Sequence, residues 1–263
     1  MGRPKRWLAH REASGKATIE LASWKYFSDF IYRFFLDIRD YVWRGQSAAS
    51  WPLEPTLDRV LRKNGKLHSQ SIRKRHLEGF KFSARGRRGS SALQVSTENE
   101  WWALGQDHGL ATPLLDWTTK PFVALYFAFE NPENNGEAHR AVYVLSKPIV
   151  EAKSSEISKA HNAATRAPIV EFVNPVSDDN ARLVNQGGLF TRGPDGITLE
   201  QWVINNFKQE QKRIVVAKII IPNSEREQCL RALNRMNINH LTLFPDLYGS
   251  SKFSNFELEI DGY

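Results

Sequence analysis

The chain has almost no sulfur chemistry, with one cysteine, Cys229, and two methionines in 263 residues. A single cysteine excludes an intramolecular disulfide and leaves no cysteine cluster for zinc or an iron–sulfur centre. No His-Glu-x-x-His pair is present and the seven histidines are scattered, so no metal is expected. Long apolar runs are absent too. The longest, Phe122 to Phe129, falls far short of the roughly 18–20 residues of a spanning helix, and no membrane association is expected. The basic start lacks an apolar stretch ahead of a small-residue cleavage site, so no secretory signal is read and a cytoplasmic location is expected. Nor is there a Gly-x-Ser-x-Gly elbow with His and Asp partners, a Walker sequence or a zinc-finger spacing. Hydrolase, metalloenzyme and thiol-redox readings are weak on these grounds.

What the chain does have is apolar bulk and positive charge. It is 41% hydrophobic, with 8 Trp and 15 Phe, enough for a full core. The formal net charge is +7, and the segment 59–88 concentrates it: eleven Lys and Arg stand against Glu78 alone, a local net of +10. Such a block can neutralise phosphates with release of counterions, which makes nucleic acid a candidate partner through Arg73, Lys74, Arg75, Arg85, Arg87 and Arg88. The alternative is a solvated helix face followed by a flexible Arg/Gly/Ser loop.

Periodicity predicts an amphipathic helix over Ile19 to Asp40, then a strand at Tyr41-Val-Trp43. Helices are expected over Ser69 to Phe82 and Glu98 to His108, and from a Thr118–Pro121 start to Phe129. Further on, strands are expected at 141–145, 169–173, 188–191 and 213–221. Thr198 with Gln201 fits a capping box for a helix to Phe207, and Ser224 is placed to cap another to Met236. Helices early, strands late and no βαβ alternation predict one α+β domain with a mixed or mainly antiparallel sheet and flanking helices. A basic segment, 1–18, precedes it, and the domain occupies 19–263.

Four places could carry chemistry. In Val42-Trp-Arg44-Gly45-Gln46, an arginine at a strand end beside glycine suits a cleft in which the backbone approaches a ligand; Arg44 either holds a phosphate or carboxylate or bridges to a nearby carboxylate. Between Gln106 and Pro121, polar residues gather ahead of a helix N-terminus, which favours an anion near Asp116 to Thr119. There Trp117 either stacks on a ring or is core, Asp116 and Thr118 either serve the site or cap the helix, and His108 is either a site residue or structural. Gln186 and two glycines in a strand-like stretch suggest a bulge with Gln186 aimed at a ligand, or an ordinary turn. Asp246 follows a proline and reads as a helix N-cap.

Together these pieces resemble the FRG-domain family. The likeness lies in Trp43-Arg44-Gly45-Gln46, in Gln106-Asp-His108 through Thr118, in Pro121 to Ala128, in Arg182 to Phe190 and in Leu243-Phe-Pro-Asp246-Leu, with Trp43 where the family has Phe. The family occurs in bacterial and phage-conflict settings, which implies a toxin or antiphage effector and an antitoxin protein as a possible partner. The order of an early arginine, a polar and aromatic step into a Pro-x-x-Ala helix and a late strand is also similar to ADP-ribosyltransferases, so the resemblance implies that fold, NAD as substrate and RNA or another nucleic acid, or a protein, as acceptor. On it, Arg44, Gly45, Gln46, His108, Trp117 and Thr118 would bind NAD. Gln186, at the position usually held by glutamate, would be catalytic with Asp116 and Asp246, and Glu200 stands behind them. Glutamine can position a hydroxyl but cannot act as a carboxylate base. A non-catalytic nucleic-acid-binding module and a protein-interaction module are the rival readings.

Overall fold

A computed structural model describes residues 5–87, 95–132, 136–175 and 181–263. In chain order the elements are β1 (Trp7–Arg11), β2 (Lys16–Leu21), α1 (Tyr26–Phe35), β3 (Tyr41–Gln46), α2 (Thr56–Lys63), α3 (Gln70–Ser83) and α4 (Glu98–Asp107). They continue with β4 (Leu114–Thr118), α5 (Pro121–Phe129), β5 (His139–Ser146), α6 (Lys147–Ala160), β6 (Glu171–Val173), α7 (Ala181–Gln186) and β7 (Gly188–Arg192). The chain ends with α8 (Leu199–Asn206), β8 (Val216–Pro222), α9 (Arg226–Arg235), α10 (His240–Leu243) and α11 (Leu247–Glu259). The strands form one open sheet in the order β1-β2-β8-β5-β3-β4-β7-β6. Among the described strands, only the β2–β8 pairing is parallel. The fold is thus a single α+β domain with a mainly antiparallel mixed sheet.

Each face of the sheet is covered by helices. Trp43, Val142, Val144, Ile219 and Ile221 pack under α1, α5, α9 and α11, while Val42, Leu115, Trp117, Tyr143 and Leu145 pack under α6 and α8. A third cluster joins Leu57, Leu61, Leu77 and Trp102 of α2, α3 and α4 to Leu114 and Phe190 at the sheet's far end. Among the described residues, no helix is long and apolar enough to cross a membrane.

Several sequence expectations need correction. Ile19 and Leu21 lie in β2, where Ala17, Ile19 and Leu21 alternate with more exposed neighbours, and the helix begins only at Tyr26. Within the expected basic segment 1–18, residues 7–18 are not separate from the domain, because β1 and the start of β2 join the sheet. Ser224 does not cap α9; Glu225 takes the cap position with no side-chain bond. Thr198 does cap α8, accepting from the Gln201 amide.

The central element is α5. Gly45 of β3 lies so close beneath it that a Cβ there would sit 2.1 Å from the Ala124 carbonyl oxygen and 2.4 Å from the Ala128 nitrogen. The α5 C-terminus is gripped by two arginines: Arg140 donates to the carbonyls of Ala128 (2.6 Å) and Asn131 (2.8 Å), and Arg226 to those of Phe129 (2.8 Å) and Glu130 (2.6 Å). Cations there oppose the negative end of the helix dipole. Arg140 is fully buried, and burial brings its pKa down to about 10. Because the atoms that meet a new methyl at position 45 are backbone, Gly45→Ala should destabilise the protein by about 3 kcal/mol, the upper range for overpacking. Chemical denaturation measures this, and a loss under about 1 kcal/mol would mean that β3 and α5 separate at little cost.

Candidate functional site

β3 and β4 are joined at one residue pair, Trp43 opposite Thr118. A cleft of about 360 Å³ lies at this junction, walled by Arg44 and Gly45 on β3 and by Asp116 to Thr118 on β4. Strand alternation sends Val42 and Arg44 to one face and Trp43 and Gly45 to the other, against α5. The rest of the wall comes from α4 (Gln106, Asp107), α5 (Phe127, Glu130), α7 (Arg182, Leu183, Gln186), β7 and Phe244.

Arg44 is held in place at 19% side-chain exposure. Its Nη1 donates to the Asp116 carbonyl at 2.8 Å and to Asp116 Oδ2 at 3.3 Å. Gln106 donates to both Asp116 carboxylate oxygens, at 2.9 and 3.0 Å, and its own amide oxygen accepts from the buried Thr112 hydroxyl. That last bond fixes which way the amide points. The chain Thr112–Gln106–Asp116–Arg44 therefore fixes the arginine before any ligand arrives. The Nε of Arg44 is buried with no hydrogen-bond partner. Arg59 on α2 is close by, since partial burial and then the like charge of Arg44 lower its pKa.

Of the other expected site residues, Thr118 and Gln186 meet: the Thr118 hydroxyl donates to the Gln186 carbonyl at 2.6 Å. Gln186 does not lie on a late strand but ends α7, and its side chain donates to the Leu243 carbonyl at 3.2 Å. Gly187, at φ +60, breaks that helix and turns the chain into β7. Trp117 is core, 3% exposed with its indole N–H on Thr191 Oγ1 at 2.8 Å, so its ring is not available for stacking. The half-exposed Phe127 and Phe244 supply the aromatic edges instead. Gly45 faces α5, so its lack of a side chain serves helix packing. Gln46 is buried and donates to the Pro52 carbonyl, outside the cleft wall. His108 is exposed at the C-cap of α4, where Gln106 and Asp107 reach the cleft and it does not.

Asp246 is also off the wall. It caps α11 by accepting from the Gly249 amide at 3.0 Å and pairs with Arg182, which does line the cleft. Those two contacts, the amide first, lower its pKa. Glu200 is likewise committed elsewhere, accepting from the Leu53 amide at 3.0 Å. Glu130, Asp107 and Arg182 join the site without having been expected there. Arg182 and Asp107 lie inside two of the four motifs, whereas nothing local marks Glu130.

The basic block divides. Lys74, Arg75, Arg85 and Arg87 are exposed, with the Arg85 guanidinium 3.8 Å from the Phe82 ring centre, and Arg88 lies outside the described residues. Arg73 does not belong to this surface. It shares the inner face of α3 with Leu77, and its side chain, 6% exposed, pairs with Asp58 at 2.7 Å and donates to the Leu67 carbonyl at 2.8 Å. Burial pushes the Asp58 carboxyl up and Arg73 opposes it. Arg73→Ala would leave Asp58 buried without its cation and should cost about 3–5 kcal/mol, whereas Lys74→Ala should stay within about 0.5 kcal/mol. Denaturation of the two variants side by side tests this, and equally small losses would refute the buried pair.

No curated protein and no solved structure matches the chain. Residues 39–137 match the family model described as the FRG domain. The matched span runs from just before β3 to beyond α5 and includes Arg44, Gly45, Gln106, Asp116 and Glu130. Over residues 39–137, which hold the β3–α5 frame and much of the cleft, the chain is similar to the FRG domain.

Proposed function

We propose that the cleft binds NAD and that the protein transfers its ADP-ribose to a nucleic acid, RNA foremost, as a toxin or antiphage effector. The observation that carries this reading is the arginine at the cleft wall, fixed by the Asp116 carbonyl and carboxylate while its side chain stays 19% exposed. A guanidinium fixed in this way offers its exposed N–H groups to an anionic oxygen of a ligand without first ordering itself. Arg182 is a second cation on the same wall, so the pair suits a pyrophosphate. Phe127 and Phe244 would take a ring edge-on or face-on, and Gln186 offers its amide oxygen to a ribose hydroxyl. At about 360 Å³ the cleft is near the lower end of ligand pockets, which run from roughly 300 to 1,000 Å³, and suits one nucleotide half with the rest along open surface.

The reaction breaks the bond between nicotinamide and the ribose C1′, with nicotinamide leaving on the bonding electron pair. A nucleophile of the acceptor then bonds to C1′ and gives up a proton. Fixed groups aimed at the developing charge lower the barrier without reorganising. The Thr112–Gln106–Asp116–Arg44 chain is of that kind, which turns Asp116 from a candidate base into the group that holds Arg44.

Lys74, Arg75, Arg85 and Arg87 give the acceptor's backbone a basic track, and Arg59 adds a cation near Arg44. The same exposed cations favour the second reading, a non-catalytic nucleic-acid-binding module. Incubation with adenine-labelled NAD and separate pools of RNA, DNA and cell protein distinguishes the two. Label is expected on RNA and should fall by about 100-fold or more in Arg44→Ala, the scale of losing one preorganised group. Neutralising the four exposed cations should weaken polynucleotide binding and flatten its salt slope by about 0.7 for each single-strand phosphate that the protein no longer neutralises. No label on any pool, with salt-sensitive binding retained, would leave the binding module.

A further inference from the structure

The cleft wall includes the acidic residues Asp107, Asp116 and Glu130, and the last two are held differently. Asp116 is committed to Arg44 and Gln106. Glu130 stands at the C-cap of α5, where the helix dipole disfavours an acid, so helix stability does not account for it. Its Oε2 lies 3.2 Å from Nε2 of His240. His240 is 3% exposed and stacks on Phe244, itself part of the cleft wall, at 5.2 Å and 22°. The other ring nitrogen, Nδ1, is hydrogen-bonded to the hydroxyl of Tyr126, which is fully buried.

Burial pushes the Tyr126 phenol up, so the hydroxyl bonded to Nδ1 keeps its proton. Nε2 faces the Glu130 carboxylate, and the buried, stacked ring fixes where that carboxylate stands. The second oxygen and the remaining lone pairs suit a ligand. Tyr126 and His240 would hold α5 to α10 without an acid, so the acid at the cleft end of the chain calls for a role of its own.

We propose that Glu130 is the catalytic carboxylate of the cleft and that His240, backed by Tyr126, is its positioning residue. This rests on the transferase reading above. As the C1′–nicotinamide bond breaks and the electron pair leaves with neutral nicotinamide, Glu130 stabilises the positive charge left on the ribose. The acceptor's O–H or N–H then forms the new bond at C1′, and its proton passes to Glu130 and on to water. Each turnover consumes one NAD and one acceptor and yields the ADP-ribosylated acceptor, nicotinamide and one proton.

The test uses the full chain as wild type, Glu130→Gln and Glu130→Asp, with NAD binding, label transfer and thermal unfolding measured on each. Glu130→Gln keeps the size and the approach to His240 but loses the charge. It should unfold with the wild type and keep KM for NAD within about threefold, while kcat falls by about 100-fold or more. Glu130→Asp withdraws the charge by one methylene and should fall by about tenfold at unchanged KM, which is the reading used if Glu130→Gln does not fold. Transfer within about threefold of wild type in the folded variant would overturn the assignment of Glu130 and leave the transferase reading intact. A wild type that neither transfers label nor releases nicotinamide would overturn both.

Discussion

The contact between Gly45 and the underside of α5 is the constraint on which the rest of the structure depends. With backbone atoms of Ala124 and Ala128 within 2.4 Å of where a Cβ would stand, β3 approaches the helix at a distance only glycine allows. Strand alternation then decides the neighbours: if residue 45 faces the helix, residue 44 faces away from it. Arg44 reaches the cleft because Gly45 touches the helix. The Arg-Gly dipeptide is therefore one device, in which the glycine sets the distance between two elements and the arginine uses the gap that results.

A helix held this closely at one face must also be held along its length, and the C-terminal end shows how. Arg140 and Arg226 occupy the last free carbonyls of α5 and place two cations at the negative end of its dipole. Arg140 does so from the start of β5 and Arg226 from the start of α9, so the helix is tied to both sides of its neighbourhood. The same turn carries Glu130, held by His240. Burial also pushes the Cys229 thiol up, which keeps the one cysteine an inert filler beneath this helix.

How much of this is legible in the sequence follows from where burial is strong. α3, α4, α5 and α8 are visible from their apolar patterning, supported by Pro121 in the first turn of α5 and by the Thr198 cap of α8; the expected Thr118 cap of α5 is not formed, because Thr118 ends β4 and Lys120 takes the cap position with no side-chain bond. β2 reads as helix because Ile19 and Leu21 run straight into the aromatic stripe of α1, and a period of two over six residues is easily absorbed by the longer pattern. α6 buries Val150 and Ser154, α11 only Gly249 and Phe256, and α7 no residue, so their sequences carry little apolar signal. Arg73 is easily counted with its charged neighbours, although its position four residues before Leu77 puts it on the buried face. The motifs locate the cleft, since Arg44, Asp116, Thr118 and Gln186 do converge. Glu130 is not legible, because its partner His240 lies more than a hundred residues away and only the packing of α10 brings them together.

The cleft itself is polar for a physical reason. Its aromatic residue of strongest sequence appeal, Trp117, is spent on the core, where the indole N–H finds Thr191 and the ring fills space under α6 and α8. What remains on or beside the wall are side chains already hydrogen-bonded to one another: Gln106 to Asp116, Asp116 to Arg44, and Arg182 to Asp246, with the buried Thr112 behind Gln106. Such a network loses little conformational entropy on binding, because its rotamers are fixed beforehand. It also sets what is recognised. A wall with fixed cations at Arg44 and Arg182 and fixed acids at Asp116 and Glu130 discriminates by where a ligand carries its charges, and a purely apolar molecule would strip water from all four and give nothing in return.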